Sequence, residues 1–364
     1  MAISKLLKKF DIKVIGKLTK EEQIILSDNV ATKISNEFNY IDYGYIYTKL
    51  MKAKMYTAII PEGITSAIYS YEEDTLFISD TEDINNVSKE LLYECIHTVQ
   101  DIRNRKGQIK QLGQCIFSEF KVYAMALNEA SIQYIVAKIF NEEERYVEAY
   151  GIKVNTYSRN KYPLICNILL QLLFMSEERT LVKSTIYSTD EFIIDGVEEI
   201  GETSYTSIQN NLDDMLYASE EIIGIKRLIK TKTEDGYLNI NEYLNAIYQK
   251  EELIRKLYMD SQMSIFTMYF NRLYNRIQNL QDIQLYKNKL EDFKELIGFY
   301  TNENQEYFLQ YYENYYKEKE ENLILKEAEI KQKNDLALTV ISDNIIVQIF
   351  NKIKNNVNRI LKKV

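Results

Sequence analysis

Hydrophobic and polar positions repeat with two different periods along this chain, and the change of period predicts its elements. From residue 19 to residue 55, apolar residues recur every three or four positions, as on one face of a helix. Thr19 and Glu22 have the spacing of a capping box, so we expect a helix that begins there and runs towards Phe38. A second helix is predicted over residues 43–55.

The period then becomes that of strands. Residues 56–60, 64–69 and 75–78 are short runs rich in β-branched and aromatic residues, and turn residues that include Pro61 and Gly63 separate them. These runs predict a small antiparallel sheet in the first third of the chain.

Helical spacing returns after the third strand. The apolar residues that share one helical face are Val87, Leu91, Cys95, Val99 and Ile102. Because each residue turns a helix by about 100°, Tyr93 and His97 lie on the opposite side, and Cys95 belongs to the core. A long helical pattern also covers residues 117–140, and from about residue 205 the chain is predicted to be helical to its end.

Together these patterns predict a mainly α chain of the α+β class. We expect an N-terminal helical segment over residues 1–40, a domain with the small sheet over 41–204 and a helical C-terminal region over 205–364. Eleven glycines and two prolines in 364 residues agree with this, because a loop-rich all-β protein uses more of both.

Composition narrows the function classes. Forty-five Lys and Arg against 54 Asp and Glu give a net charge of -9, which argues against a general nucleic-acid binder because phosphate contacts need a basic face. Three cysteines, Cys95, Cys115 and Cys166, show no C-x-x-C spacing and predict a reducing compartment. The start lacks the continuous apolar run of a signal peptide, so we expect a soluble, cytoplasmic protein.

The candidate chemistry lies on the predicted helix after the sheet. Residues 91–97 read Leu-Leu-Tyr-Glu-Cys-Ile-His and contain the only histidine of the chain. In an H-E-x-x-H motif two histidines four residues apart bind zinc, and the glutamate between them activates a metal-bound water. Here Tyr93 stands at the first histidine position, whereas Glu94 and His97 keep the other two.

At these residues the chain resembles a known family. The strand at 76–80, the helix at 91–100 and Asn128-Glu129-Ala130 followed by Tyr134 resemble the gluzincin-type metallopeptidase domains of Gram-positive bacteria. Their pattern is roughly L-L-H-E-x-x-H-x-x-Q and then N-E-A-x-T-E-Y. The resemblance covers about residues 40–200, and it implies a zincin-like fold there.

The resemblance also implies roles for single residues. His97 and Glu129 take zinc-ligand positions, Glu94 takes the position of the catalytic base, and Asn128 lies beside a ligand. Two departures remove metal-site chemistry: Tyr93 replaces the first ligand, and Gln133 replaces a glutamate of the family pattern. A phenol with a pKa of about 10 competes poorly with imidazole for zinc near neutral pH.

Three functions therefore stand side by side. The first is a catalytically degenerate metallopeptidase homologue without a bound cofactor, which binds a peptide or protein partner through the former substrate cleft. The second is an active zinc metallopeptidase with an altered metal site formed by Tyr93, Glu94, His97 and Glu129. The third is a peripheral membrane or assembly protein that uses its helical tail and basic termini.

The third alternative, a peripheral membrane or assembly protein, rests on the basic C-terminus. Its apolar positions are Ile346, Ile349, Phe350, Ile353, Val357, Ile360 and Leu361. Its basic residues are Lys352, Lys354, Arg359, Lys362 and Lys363, and six further lysines, Lys5, Lys8, Lys9, Lys13, Lys17 and Lys20, lie near the N-terminus. Such a helix can lie on an anionic membrane or pack its apolar face on the protein, and packing is the outcome we favour.

Overall fold

The structure is a computed structural model of the whole chain, and it describes residues 7, 10–61, 63–118, 121–157, 161–232, 240–301 and 306–361. Eleven helices lie within these ranges. They are α1 (Lys20–Glu37), α2 (Tyr43–Lys52), α3 (Lys89–Gln100), α4 (Met125–Ile139), α5 (Pro163–Leu173), α6 (Glu178–Tyr187), α7 (Glu191–Ile200), α8 (Glu202–Lys232), α9 (Ile240–Arg276), α10 (Leu280–Lys294) and α11 (Glu306–Leu361). The chain is mainly helical, as its sequence predicts.

The strands form three small sheets. They are β1 (Lys13–Lys17), β2 (Lys54–Ile59), β3 (Ala67–Ser70), β4 (Thr75–Ser79), β5 (Asp101–Arg103), β6 (Ile109–Leu112), β7 (Cys115–Phe117), β8 (Val122–Tyr123), β9 (Arg145–Ala149), β10 (Ile152–Thr156) and β11 (Phe299–Tyr300). The sheets have the orders β1-β2-β4-β3, β5-β6-β7-β8 and β11-β10-β9. The last two sheets are antiparallel throughout.

The first sheet differs from the antiparallel arrangement that its sequence suggests. Strand β3 pairs with β4 in antiparallel register, from Ala67 opposite Ile78 to Ser70 opposite Thr75, but β2 pairs with β4 in parallel. All five residues of β4 are buried, and an inner position between two neighbouring strands provides that burial. Strand β1, which is largely exposed and has no apolar alternation, was not predicted.

The first two helices begin where the sequence places them. The Thr19 side chain accepts a hydrogen bond from the backbone N–H of Glu22, and the Glu22 carboxylate accepts from the backbone N–H of Thr19, which completes the capping box. Helix α1 ends before Phe38. Helix α2 ends at Lys52, three residues before the predicted end, because the chain continues directly into β2.

Helix α3 carries the motif residues. The Ser88 side chain caps its start by accepting from the N–H of Leu91 at 3.1 Å, and the helix ends at Gln100, so that Ile102 belongs to β5. Cys95 is fully buried, as predicted. The pattern at 117–140 yields a shorter helix than predicted, because β7 and β8 take its first residues and α4 begins only at Met125.

The chain divides into two compact units. The first contains Met1–Tyr269 and Phe293–Asn302, and the second contains Phe270–Asp292 and Glu303–Val364. The predicted C-terminal region starts at residue 205, so its first two helices, α8 and most of α9, lie in the first unit. Buried polar contacts explain this: the Tyr258 hydroxyl donates to Asn167 at 2.7 Å, and Gln262 donates to the carbonyl of Gly298 at 3.0 Å.

Helix α11 belongs to the second unit and continues to Leu361, which agrees with the helical tail predicted from the sequence. Its apolar residues Ile345 and Val347 are exposed. The side chains at 346, 349, 350, 353, 354, 357 and 359–361, and the lysines at 5, 8, 9, 362 and 363, lie outside the described residues. Among the helices that the structure describes, none has the length and apolar composition needed to cross a membrane.

Candidate functional site

Helix α3 places two of the predicted site residues on one face. Tyr93 and His97 are four residues apart, and each is only 8% exposed. Their rings meet edge to face, with centroids 5.1 Å apart and planes at 75°. The spacing that would set two histidines side by side therefore brings a phenol and an imidazole together.

Helix α4 brings Glu129 against both rings. The Tyr93 hydroxyl donates a hydrogen bond to Oε2 of Glu129, and Nε2 of His97 lies 3.4 Å from Oε1 of the same carboxylate. The other ring nitrogen, Nδ1 of His97, is buried and has no hydrogen-bond partner among the described residues. The structure thus joins Tyr93, His97 and Glu129 into one cluster, which we call the Tyr93 cluster.

Burial controls the protonation of the phenol. It raises the pKa of Tyr93 well above the usual value, and the negative charge of Glu129 and the hydrogen bond to it raise the pKa further. Tyr93 is therefore a neutral hydrogen-bond donor over the physiological pH range.

Glu94 points to the first sheet instead of the Tyr93 cluster. Its Oε2 accepts a hydrogen bond of 2.7 Å from the backbone N–H of Tyr69 on the edge strand β3. Burial raises the pKa of Glu94, whereas His97 and the Tyr69 N–H partly oppose that shift. The carboxylate at the base position is thus an acceptor for the backbone of the sheet edge.

A second side chain binds the same edge further along. The Tyr69 hydroxyl donates to Oδ2 of Asp101 at 2.5 Å, and the Arg103 guanidinium donates to Asp101 at 2.7 Å and to the carbonyl of Tyr71 at 2.5 Å. Glu94 therefore binds a backbone N–H within the edge strand β3, and Arg103 binds a backbone carbonyl just beyond its end. Such groups are the ones that an added peptide strand would use.

Asn128 lies behind the Tyr93 cluster, in the interior. Its side-chain oxygen accepts from Gln100 at 3.2 Å and from the backbone N–H of Gln114 at 3.1 Å. Gly113, which has φ +59°, lies directly against the side chains of Asn128 and Gln100, and a Cβ atom at this position would overlap both. Asn128 therefore links α4 to α3 and to the turn between β6 and β7. Gln133, four residues after Glu129 on α4, is partly buried.

Asp213 on α8 is a supporting residue that the sequence does not reveal. Helix α4 starts after Ala124, which has φ 58° and no side-chain cap of its own. The buried Asp213 carboxylate supplies the cap, since it accepts from the N–H of Ala124 at 3.0 Å and of Ala126 at 2.9 Å. It fixes the start of the helix that carries Glu129, and the sequence separation of 89 residues between Asp213 and Ala124 leaves no local signal.

Lys161 and Tyr162 are the other residues that were missed. The Lys161 ammonium lies 5.0 Å from the centroid of the Tyr93 ring, and the Tyr162 hydroxyl donates to Glu220. Burial raises the pKa of Tyr162, and the charges of Glu220 and Glu129 add to that shift. Both residues precede α5 and belong to no motif.

The donors of the Tyr93 cluster do not fit a catalytic zinc site. Such a site takes three protein ligands and a water, whereas this cluster offers one imidazole, one carboxylate and a phenol whose pKa is raised. The facing atoms of His97, Glu129 and Tyr93 point at one another. Within the described ranges, no group of three or more His, Cys, Asp or Glu side chains is arranged to hold a metal ion.

Comparisons with known proteins add no relative: a scan against protein-family models, a search of curated proteins and a search of solved structures found no match.

Proposed function

We propose that this chain is a catalytically degenerate homologue of gluzincin-type metallopeptidases that binds a peptide or protein partner at the former substrate cleft. The observation that carries the proposal is the hydrogen bond from Tyr93 to Glu129, with His97 3.4 Å from the same carboxylate. In this arrangement a phenol satisfies the carboxylate that the family resemblance assigns to zinc. The two helices that would share a metal ion, α3 and α4, are joined here by the hydrogen bond from Tyr93 to Glu129.

The position of Glu94 supports the same conclusion. A general base must reach the water that it deprotonates, but the Oε2 atom of Glu94 accepts the N–H of Tyr69. The carboxylate then contributes to the sheet edge instead of to hydrolysis. Both changes conserve the scaffold and remove the chemistry of the original site.

Partner binding follows from what remains accessible. The Glu129 side chain is 24% exposed, and the exposed Lys161 lies over Tyr93, so charged groups of the Tyr93 cluster meet solvent. Strand addition at β3 is disfavoured, because Glu94 already accepts the N–H of Tyr69. A partner is therefore recognised through side chains and charge.

Metal content tests the loss of catalysis. We expect the full chain, purified without added metal, to carry well below one zinc per chain and to leave a mixed peptide library uncleaved. Tyr93→His restores the missing imidazole and should raise zinc affinity markedly. Tyr123→His, which changes an exposed tyrosine of β8, is the matched control and should not. Stoichiometric zinc that survives dialysis and disappears in Glu129→Ala would make the enzyme the better interpretation.

Partner binding is tested on the only histidine of the chain. The ring of His97 gives a single histidine signal in an NMR spectrum, and it lies in the Tyr93 cluster. Some members of a peptide library should shift this signal in a saturable way, and Glu129→Arg should abolish the shift. Peptides that bind without moving the signal, or no binding by any member, would contradict the proposed site.

A further inference from the structure

Lys161 gives the Tyr93 cluster a resident positive charge. Its ammonium lies 5.0 Å from the centroid of the Tyr93 ring, within the distance of a cation–π interaction. The residue is exposed, so the ammonium reaches the ring from the solvent side. Tyr93 therefore contacts Glu129 through its hydroxyl and a cation through its ring.

The groups around this ammonium suit a cation. Burial is the main cause of the raised pKa of Glu94; the charge of Glu129 raises this pKa further, whereas the charge of Lys161 lowers it. The face of the Tyr93 ring and the Glu129 carboxylate beside its hydroxyl are the kinds of groups that recognise an ammonium ion.

The imidazole of His97 gives independent support for a binding site at this cluster. It is 8% exposed, its Nε2 faces Glu129, and its Nδ1 has no hydrogen-bond partner among the described residues. A buried nitrogen of this kind normally has a partner. The cluster thus keeps a polar atom that its own described residues do not satisfy.

We propose that the Tyr93 cluster is the binding site for a primary ammonium group of the partner and that Lys161 occupies this site in the free protein. This inference rests on the proposed function, because it names the chemical group by which the partner is recognised. The ligand displaces the Lys161 side chain into solvent and takes its place over the Tyr93 ring, whose hydroxyl contacts Glu129. No bond is made or broken.

The geometry favours an ammonium over other cations. A guanidinium presents a flat fork that suits a free carboxylate in bidentate contact, but one Glu129 oxygen is bound by Tyr93 and the other faces His97. A compact ammonium needs only the ring face and nearby negative charge, which is how Lys161 lies. A lysine side chain and the amino terminus of a peptide carry the same group.

The experiment uses the full chain, its Lys161→Ala variant and n-butylammonium chloride as the probe, with the His97 NMR signal as the readout. Truncation of Lys161 removes the resident competitor, so the variant should bind the probe at least about tenfold more tightly than the parent, a difference of about 1.4 kcal/mol. Glu129→Gln in the Lys161→Ala background should reverse this gain. Butanol, which has the same chain without the charge, should not bind.

Lys153 supplies the matched control. It is also an exposed lysine over a tyrosine ring, 5.2 Å from Tyr146, but it lies on β10 away from the motif. Lys153→Ala should leave probe binding as in the parent. Lys161→Gln, which keeps a polar side chain but not the charge, should behave as Lys161→Ala and serves in its place if the alanine variant folds poorly.

Two peptide arms distinguish the sources of the ammonium. An N-acetylated peptide with one lysine and a lysine-free peptide with a free amino terminus are titrated into the parent, and preference for one assigns the source. Failure of both peptides and of the probe to bind the parent or Lys161→Ala, or equal binding of butanol, overturns the inference. The proposed function is then tested separately, by zinc content and by the peptide library, because neither measurement depends on an ammonium group.

Discussion

The hydrogen bond between Tyr93 and Glu129 offers the most direct test of how the site is held together. Tyr93→Phe removes one oxygen and keeps the ring, so that packing against His97 and the core is unchanged. A hydrogen bond to a charged group contributes about 1.5–3 kcal/mol. Because the Glu129 side chain is 24% exposed and water can replace the hydroxyl, we expect the lower end, about 1.5 kcal/mol.

The measurement is the free energy of unfolding of the full chain in urea, followed by far-ultraviolet circular dichroism. Tyr123→Phe, an exposed tyrosine outside the site, is the control and should change stability by less than about 0.5 kcal/mol. A double-mutant cycle with Glu129→Gln separates the pair from its surroundings, and we expect a coupling of about 1 kcal/mol.

Two results would refute this reasoning. If Tyr93→Phe is as stable as the parent within about 0.5 kcal/mol, the hydroxyl does not link the two helices. If Tyr93→Phe is destabilised but the cycle shows no coupling to Glu129, the loss comes from another contact of the phenol. In either case the Tyr93 hydroxyl does not link α3 to α4 through Glu129.

Three further predictions concern other polar groups of the first unit. Burial raises the pKa of Glu94, because the charged carboxylate is harder to bury than the protonated acid. The folded chain therefore has the full benefit of the protonated acid below the ordinary carboxyl pKa, and it loses this stability as the pH rises through the raised pKa. Glu94→Gln should therefore be more stable than the parent in urea at neutral pH and equal to it in acid, and an unchanged pH profile would contradict this. Asp213→Ala leaves the backbone N–H groups of Ala124 and Ala126 at the start of α4 without an acceptor and should lower the free energy of unfolding by about 2 kcal/mol, whereas Asp214→Ala, an exposed neighbour, should change it little. Tyr258→Phe removes the hydroxyl that donates to Asn167 and should lower the free energy of unfolding by about 1.5 kcal/mol. An unchanged free energy of unfolding would show that this hydrogen bond does not hold α9 on α5.

The family assignment, the role of zinc and the partner remain predictions from the residues. What the structure adds is the placement of those residues. It brings Tyr93, His97 and Glu129 together, but it directs Glu94 to the sheet edge and Asn128 to the interior. Neighbours in a motif thus differ in what they contact.

Local spacing was sufficient for α1 and α3. The capping box at Thr19, the buried face of α3 and the pairing of Tyr93 with His97 all follow from residues three or four positions apart. These interactions lie within a single turn of the chain, so the sequence determines them before any tertiary contact forms.

Tertiary structure alone decided the rest. The parallel pairing of β2 with β4, the Asp213 cap on α4 and the position of Lys161 over Tyr93 join segments that are far apart in sequence. The helical pattern at 117–140 also gave way to β7 and β8, because the pairing of those strands competes with local helix propensity. Such contacts depend on which surfaces meet when the core is buried, and the spacing of residues along the chain does not specify which distant segments pair.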